Sequence, residues 1–234
     1  MARNALRSLS RDVDACRQCE LWERATQAVI GEGPLPARII LVGEQPGDQE
    51  DRAGRPFVGP AGRVLDRALQ AAGIDRETAF VTNIVKHFRW RPSPDGKRRL
   101  HDRPNARQVR ACRPWLLEEL ELVQPEVTVL MGATAAGGVL GSDVQVTRDR
   151  GRPLPSETGS TVLVTVHPSA ILRVRDRAER ETAFQALVAD LTVARRLLEP
   201  AERPACLSPR STDGRVRRER RPRSTAPAPG RADG

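Results

Sequence analysis

Aromatic side chains make up only 3% of this 234-residue chain, and lysine occurs only at Lys86 and Lys97. With 38% hydrophobic residues, the core must be built mainly from Leu, Val, Ile and Ala, which suffices for one compact fold. No apolar stretch approaches the roughly 20 residues of a membrane span, so an integral helical membrane protein is excluded. The opening MARNALRSLS has no apolar signal core, and a cytoplasmic location is expected. There are just four cysteines, and in a reducing compartment they read as metal ligands before disulfides.

Arginine is what the chain has in quantity. Lys and Arg number 39 against 30 acids, a formal charge of +9, of which residues 201–234 carry +5 and the first 200 residues +4. Those last residues are rich in Pro, Gly, Ser and Arg and bury too little to offset their ordering entropy, so the expected organisation is one domain over 1–200 and a disordered tail over 201–234. The tail can strengthen nonspecific contact with nucleic acid or be merely solvated, and the basic composition alone does not choose.

Four apolar runs have the length of buried strands: 38–43 (RIILVG), 79–84 (AFVTNI), 126–131 (EVTVLM) and 161–167 (TVLVTVH). Their continuous apolarity suits a sheet covered on both faces. Val109, Cys112, Leu116, Leu120 and Val123 share one helical face ended by Pro125. Phe184, Leu187, Leu191, Ala194 and Leu198 share another before Pro200. Shorter helices are expected over 62–72 and 134–140. The alternation predicts an α/β fold of three layers, α/β/α, around a central, mainly parallel four-stranded sheet. Ligands of such sheets bind beyond the carboxyl ends of the strands. There this chain places GEQPG (43–47), Asn83, MGATA (131–135) and HPSAILR (167–173).

Three constellations carry chemistry. Cys16 and Cys19 form a C-x-x-C, with Cys112 far away and Cys206 in the tail, a pattern that suits a metal or cluster. The residues leave the fourth ligand open between Cys206 and His87, since imidazole replaces thiolate in some iron–sulfur centres. Read alone, Cys112 is also an ordinary buried residue and His87 a surface histidine. The second constellation is a carboxylate-rich loop over 43–63, whose acids suit acid/base work and whose Phe57 offers a stacking face. Its glycine spacing fits no nucleotide fingerprint. The third, 89–104 (RWRPSPDGKRRLHDRP), reads as a basic surface loop with a turn at Asp95-Gly96, carrying Lys97, Arg98, Arg99 and His101.

GEQPG, RPFVGPAG, VTN, ACRPWL, MGATA and HPSAILR, in that order across about 16–198, strongly resemble the uracil-DNA glycosylase superfamily, in its iron–sulfur, family-4-like branch. Three departures resemble the UdgX type, whose members bind uracil-containing DNA covalently: Gln45, His87 in place of a cysteine, and the KRRLH loop, with Leu100 where Ile is common. The resemblance implies a structural [4Fe–4S] cluster on Cys16, Cys19, His87 and Cys112, leaving Cys206 outside it. It implies a flipped uracil stacked on Phe57, read by Asn83 and helped by Gly43, Glu44 and Gln45, with His167 bonding the departing base. His101 then attacks deoxyribose C1′, supported by Glu44. Arg173 supports the loop or the DNA backbone, and Lys97, Arg98, Arg99 and Ser169 contact DNA. The expected partner of this monomer is uracil-containing DNA, single strands preferred. A conventional turnover glycosylase and a noncatalytic nucleic-acid-binding module are the rival readings.

Overall fold

The computed structural model describes residues 2–156 and 159–199; the tail over 201–234, with Cys206, lies outside the described residues. The expected strands appear as β1 (Ile39–Gly43), β2 (Ala79–Asn83), β5 (Val127–Met131) and β7 (Thr161–Thr165). A short β6 (Pro153–Leu154) adds an antiparallel edge to β7, so the sheet has five strands in the order β2-β1-β5-β7-β6 rather than the expected four. The other pairings are parallel. A strand of two residues leaves no apolar signature, which is why β6 could not be read from the sequence.

Each core strand feeds both faces, because successive side chains point to opposite sides. Ile39, Leu41, Val127, Val129 and Leu163 pack with α3 (Pro60–Ala71), α7 (Pro168–Arg173) and α8 (Arg177–Leu197). Ile40, Val42, Phe80, Leu130, Val162 and Val164 pack with α4 (Ala106–Val123) and α5 (Ala133–Leu140). This is the expected three-layer α/β/α arrangement. On α4 the stripe Val109, Cys112, Leu116, Leu120 and Val123 is buried as the spacing requires. The helix ends where Gln124 turns left-handed before Pro125, which disfavours a helical residue ahead of it.

Several elements were missed. α1 (Ala2–Asp14) lies beside α4 and delivers the chain to Cys16. The segment 43–63 is not a continuous loop: it contains α2 (Asp48–Ala53), and α3 begins at Pro60. The basic segment is a hairpin, β3 (Trp90–Pro92) paired with β4 (Arg99–His101), closed by a turn with Gly96 at φ 71°. The one-turn helix α6 (Val146–Asp149) leads into β6. Among the described residues, no helix is long and apolar enough to cross a membrane.

Candidate active site

The carboxyl ends of β1, β2 and β7 open into a cleft of about 360 Å³ whose lining includes Gln45, Phe57, Asn83, His101, His167 and Ser169. Gly43, ending β1, lies against two of these residues, Asn83 and Phe57. A Cβ at that position would lie 2.4 Å from Asn83 Oδ1 and 2.7 Å from the Phe57 ring, so only glycine lets the two approach. Phe57 sits at φ 57°, a left-handed conformation that is rare for an aromatic residue. Its surroundings hold it there. Glu50 accepts from the Gly47 and Gly59 N–H groups at 3.1 and 2.7 Å, lacing the loop on both sides. Gly62 is required as well, since a Cβ there would lie 1.7 Å from the Phe57 carbonyl oxygen.

Two polar atoms in this cleft are buried without a partner: Asn83 Oδ1 and His167 Nε2. Such atoms are rare in folded proteins and mark places where a ligand completes the bonding. The state of His167 follows from its other nitrogen. The Ser169 backbone N–H, a donor only, reaches Nδ1 at 3.2 Å, so Nδ1 is the acceptor and the neutral ring carries its hydrogen on Nε2. Burial first, then the charges of His101 and Arg173, push His167 down to about 4, so near pH 7 the ring is a neutral donor aimed into the cleft. Its ring stands 6.1 Å from that of Phe57.

His101, at the end of β4, overhangs the same cleft. Its Nε2 lies 3.4 Å from Glu44 Oε1. The other carboxylate oxygen of Glu44 accepts from the Thr134 hydroxyl, with Arg103 Nε 3.6 Å away, which leaves Oε1 to face the imidazole. Burial lowers the His101 pKa, with Glu44 opposing and Arg173 adding to the fall. The neutral ring, which keeps a nitrogen lone pair, is thereby favoured near pH 7.

The hairpin is anchored from below. Gln45 spends its amide on the hairpin stem: Nε2 donates to the carbonyls of Arg89 and Asp102, both at 3.0 Å, and Oε1 accepts from the Arg89 N–H at 3.0 Å. Arg99 pairs with Asp48 at 2.5 Å and with fully buried Asp51 at 2.6 Å, its guanidinium lying near the Phe88 and Trp90 rings. Trp90 Nε1 donates to the Arg24 carbonyl at 2.9 Å. Lys97 and Arg98, at the tip, are exposed.

A second, small pocket is lined by Cys16, Cys19, His87 and Cys112, along with Val13 and Trp115. Two N–H groups already face its sulfurs: Lys86 N–H to Cys112 Sγ at 3.2 Å and Trp115 Nε1–H to Cys16 Sγ at 3.4 Å. Burial pushes the Cys112 thiol up to about 12 and raises Cys19 as well. Among the described residues no three His, Cys, Asp or Glu side chains converge on a single-ion site. Three thiols and an imidazole around one small void are a donor set that an iron–sulfur cluster accepts.

The model of the uracil DNA glycosylase superfamily matches residues 30–192. A type-4 uracil-DNA glycosylase of Thermotoga maritima is 39% identical over 178 residues, covering 76% of this chain and 88% of that one. Another from Archaeoglobus fulgidus is 34% identical over 189 residues, with 77% and 90% covered, and one from Sulfurisphaera tokodaii is 33% identical over 177 residues, with 72% and 76% covered. The chain belongs to the uracil-DNA glycosylase superfamily.

Within this superfamily member the cleft gathers Gly43, Glu44, Gln45, Phe57, Asn83, His101, His167 and Ser169 around one space, and Cys16, Cys19, His87 and Cys112 around another. Four residues look different in place from the roles expected of them. Gln45 holds the hairpin stem instead of offering its amide to a base, because all its bonds lead to Arg89 and Asp102. Arg99 is committed to two carboxylates rather than free for phosphate. The Ser169 hydroxyl lies 2.8 Å from His167 Nδ1 and takes a 3.2 Å bond from Arg173, so both residues serve the histidine. Residues the sequence reading missed are Thr134 and Arg103, which orient Glu44, and Leu172, 45% exposed at the edge of the cleft. All three lie in segments the sequence singles out, Thr134 in MGATA, Arg103 in the 89–104 segment and Leu172 in HPSAILR, but nothing there marks their roles.

Proposed function

We propose that this chain is a uracil-DNA glycosylase that releases uracil and becomes covalently joined to the resulting abasic site through His101. The observation that carries the proposal is the pair of orphaned polar atoms, Asn83 Oδ1 and His167 Nε2, beside Phe57 and beneath His101. Reaching the base requires flipping it from the stack, which is least unfavourable in single-stranded DNA. Leu172 stands at the rim as an apolar wedge for the gap left behind. The uracil stacks on Phe57, and the Asn83 amide meets its N3–H and O4. Cytosine presents the opposite donor and acceptor pattern there.

Breaking the glycosidic bond leaves electrons on the base and positive charge on C1′. His167 Nε2–H bonds the developing uracil anion, and a fixed donor of this kind contributes about 10²–10³ in rate. The lone pair of neutral His101 then forms the C1′–N bond. The proton left on the alkylated ring passes to Glu44 or water, leaving a neutral imidazole that is a poor leaving group. Lys97 and Arg98 at the hairpin tip meet DNA phosphates. Cys16, Cys19, His87 and Cys112 hold a [4Fe–4S] cluster, which supplies a structural cross-link between the N-terminal segment, the end of β2 and α4. The shared pocket and its N–H···S bonds support that assignment.

Incubation with uracil-containing single strands, followed by a denaturing gel, tests the reading. A band that survives denaturant is expected from the wild type and none from His101→Ala. Repeated rounds of uracil release without a band would assign the conventional turnover reaction instead. Uracil-independent binding with no release would assign a noncatalytic module.

A further inference from the structure

Lys86 is wholly buried, and each N–H of its ammonium has an acceptor: Thr82 Oγ1 at 2.8 Å, the Asn83 carbonyl at 2.6 Å and Glu119 Oε2 at 2.7 Å. Glu119 is buried too, and accepts from the Gly31 N–H and the Thr82 hydroxyl, both at 2.7 Å. Replacing a buried ion pair by apolar groups is often neutral or stabilising, so stability alone is a weak account of this network. Its position suggests another. The Lys86 backbone N–H donates to Cys112 Sγ at 3.2 Å, and its carbonyl accepts from Val29 N–H at 2.8 Å. One residue therefore touches the carbonyl of the base-reading asparagine and a sulfur of the cysteine–histidine pocket. Between Asn83 and His87, Ile84 and Val85 are buried as well, with their N–H groups held by the Gly43 and Glu44 carbonyls at 3.0 Å.

We infer that Lys86 is a positioning residue for uracil excision: its ammonium locks the Asn83 main chain, and with it the base-reading amide, to the wall of the pocket that holds Cys112 and His87. The inference rests on the glycosylase reading of the cleft. Asn83 Oδ1 has no protein partner of its own, so its direction is set by its backbone, and the ammonium fixes that backbone from behind. Lys86 touches neither base nor DNA. Its loss slows the chemical step without weakening the grip on the strand.

Two variants separate this from a merely structural role. Thr82→Val removes one acceptor of the ammonium but leaves the Lys86 nitrogen on the Asn83 carbonyl and paired with Glu119; excision near the wild-type rate is expected. Lys86→Met combined with Glu119→Gln removes that bond without stranding a buried charge. In this double variant the single-turnover excision rate at saturating DNA is expected to fall by about 10²-fold, as for an ångström-scale misplacement. Iron content and affinity for uracil-free single strands should be unchanged. A folded, iron-replete double variant that excises at the wild-type rate would overturn the inference. So would a loss of rate matched by a loss of DNA affinity, or Thr82→Val as slow as the double variant. Wild-type protein that releases no uracil would overturn the reading of the cleft itself, and the inference with it.

Discussion

Protonating His167 would place a charge among buried groups with His101 and Arg173, not a carboxylate, as its charged neighbours, which is why its pKa falls from 6.5 to about 4. The sign of the linkage follows. A histidine buried neutral contributes stability that is complete above its unfolded value of 6.5 and is lost as pH falls toward the folded value of about 4. The whole effect is at most about 3 kcal/mol. Urea melts across that range should therefore show a steeper loss on acidification for wild type than for His167→Asn. His101 is also held below 6.5, so cross-linking should stay level above that pH and decline below it, followed by timed denaturing gels. Gly43→Ala offers a steric test: with the new Cβ 2.4 Å from Asn83 Oδ1, uracil excision should be lost while uracil-free DNA still binds in a gel-shift assay. At this scale the sequence was largely legible, because GEQPG, Asn83 and HPSAILR each sit beyond a strand end. What it did not show is that Gln45 faces the hairpin. That depends on Arg89 and Asp102, which lie 44 and 57 residues further along the chain.

In the proposed reaction covalent trapping depends on the β3–β4 hairpin, because it alone delivers His101, while Asn83 ends β2 and His167 caps α7 just beyond β7. Its charge was visible in the sequence, but not its secondary structure or the partners of its arginine. Asp48 and Asp51 lie 51 and 48 residues before Arg99, and charge density says nothing about where a neutralising carboxylate will fold. Arg99→Met would leave buried Asp51 with only Thr26 as a partner, and a stability loss of about 1–3 kcal/mol is expected. The informative readout is a ratio. If the hairpin serves trapping rather than base recognition, the denaturant-resistant band should fall by more than uracil release does. Equal losses would mean that the anchor supports the whole cleft.

At the scale of the whole molecule, a parallel sheet brings four strand ends to one edge, and the cysteine pocket lies on the α4 side of that sheet. The three-layer architecture was readable because buried parallel strands keep continuous apolar runs. The ligand set of the second pocket was not, since C-x-x-C fixes two donors and leaves the others to tertiary structure. In the fold, α1 and the turn after it bring Cys16 and Cys19 to Cys112 on α4 and His87 beyond β2. Cys16 and Cys19 share one short segment, His87 follows β2 and Cys112 lies on α4, so a cluster held there would join three segments of the chain. Removing a central ligand should therefore cost more than iron. Cys112→Ser is expected to lose the visible chromophore and bound iron, and to lower the melting temperature, since Cys112 also receives the Lys86 N–H. Cys206 lies outside the described residues, and Cys206→Ser should keep iron, colour and excision at wild-type levels. Iron lost from Cys206→Ser but kept by His87→Ala would assign the fourth ligand to the cysteine instead of the histidine.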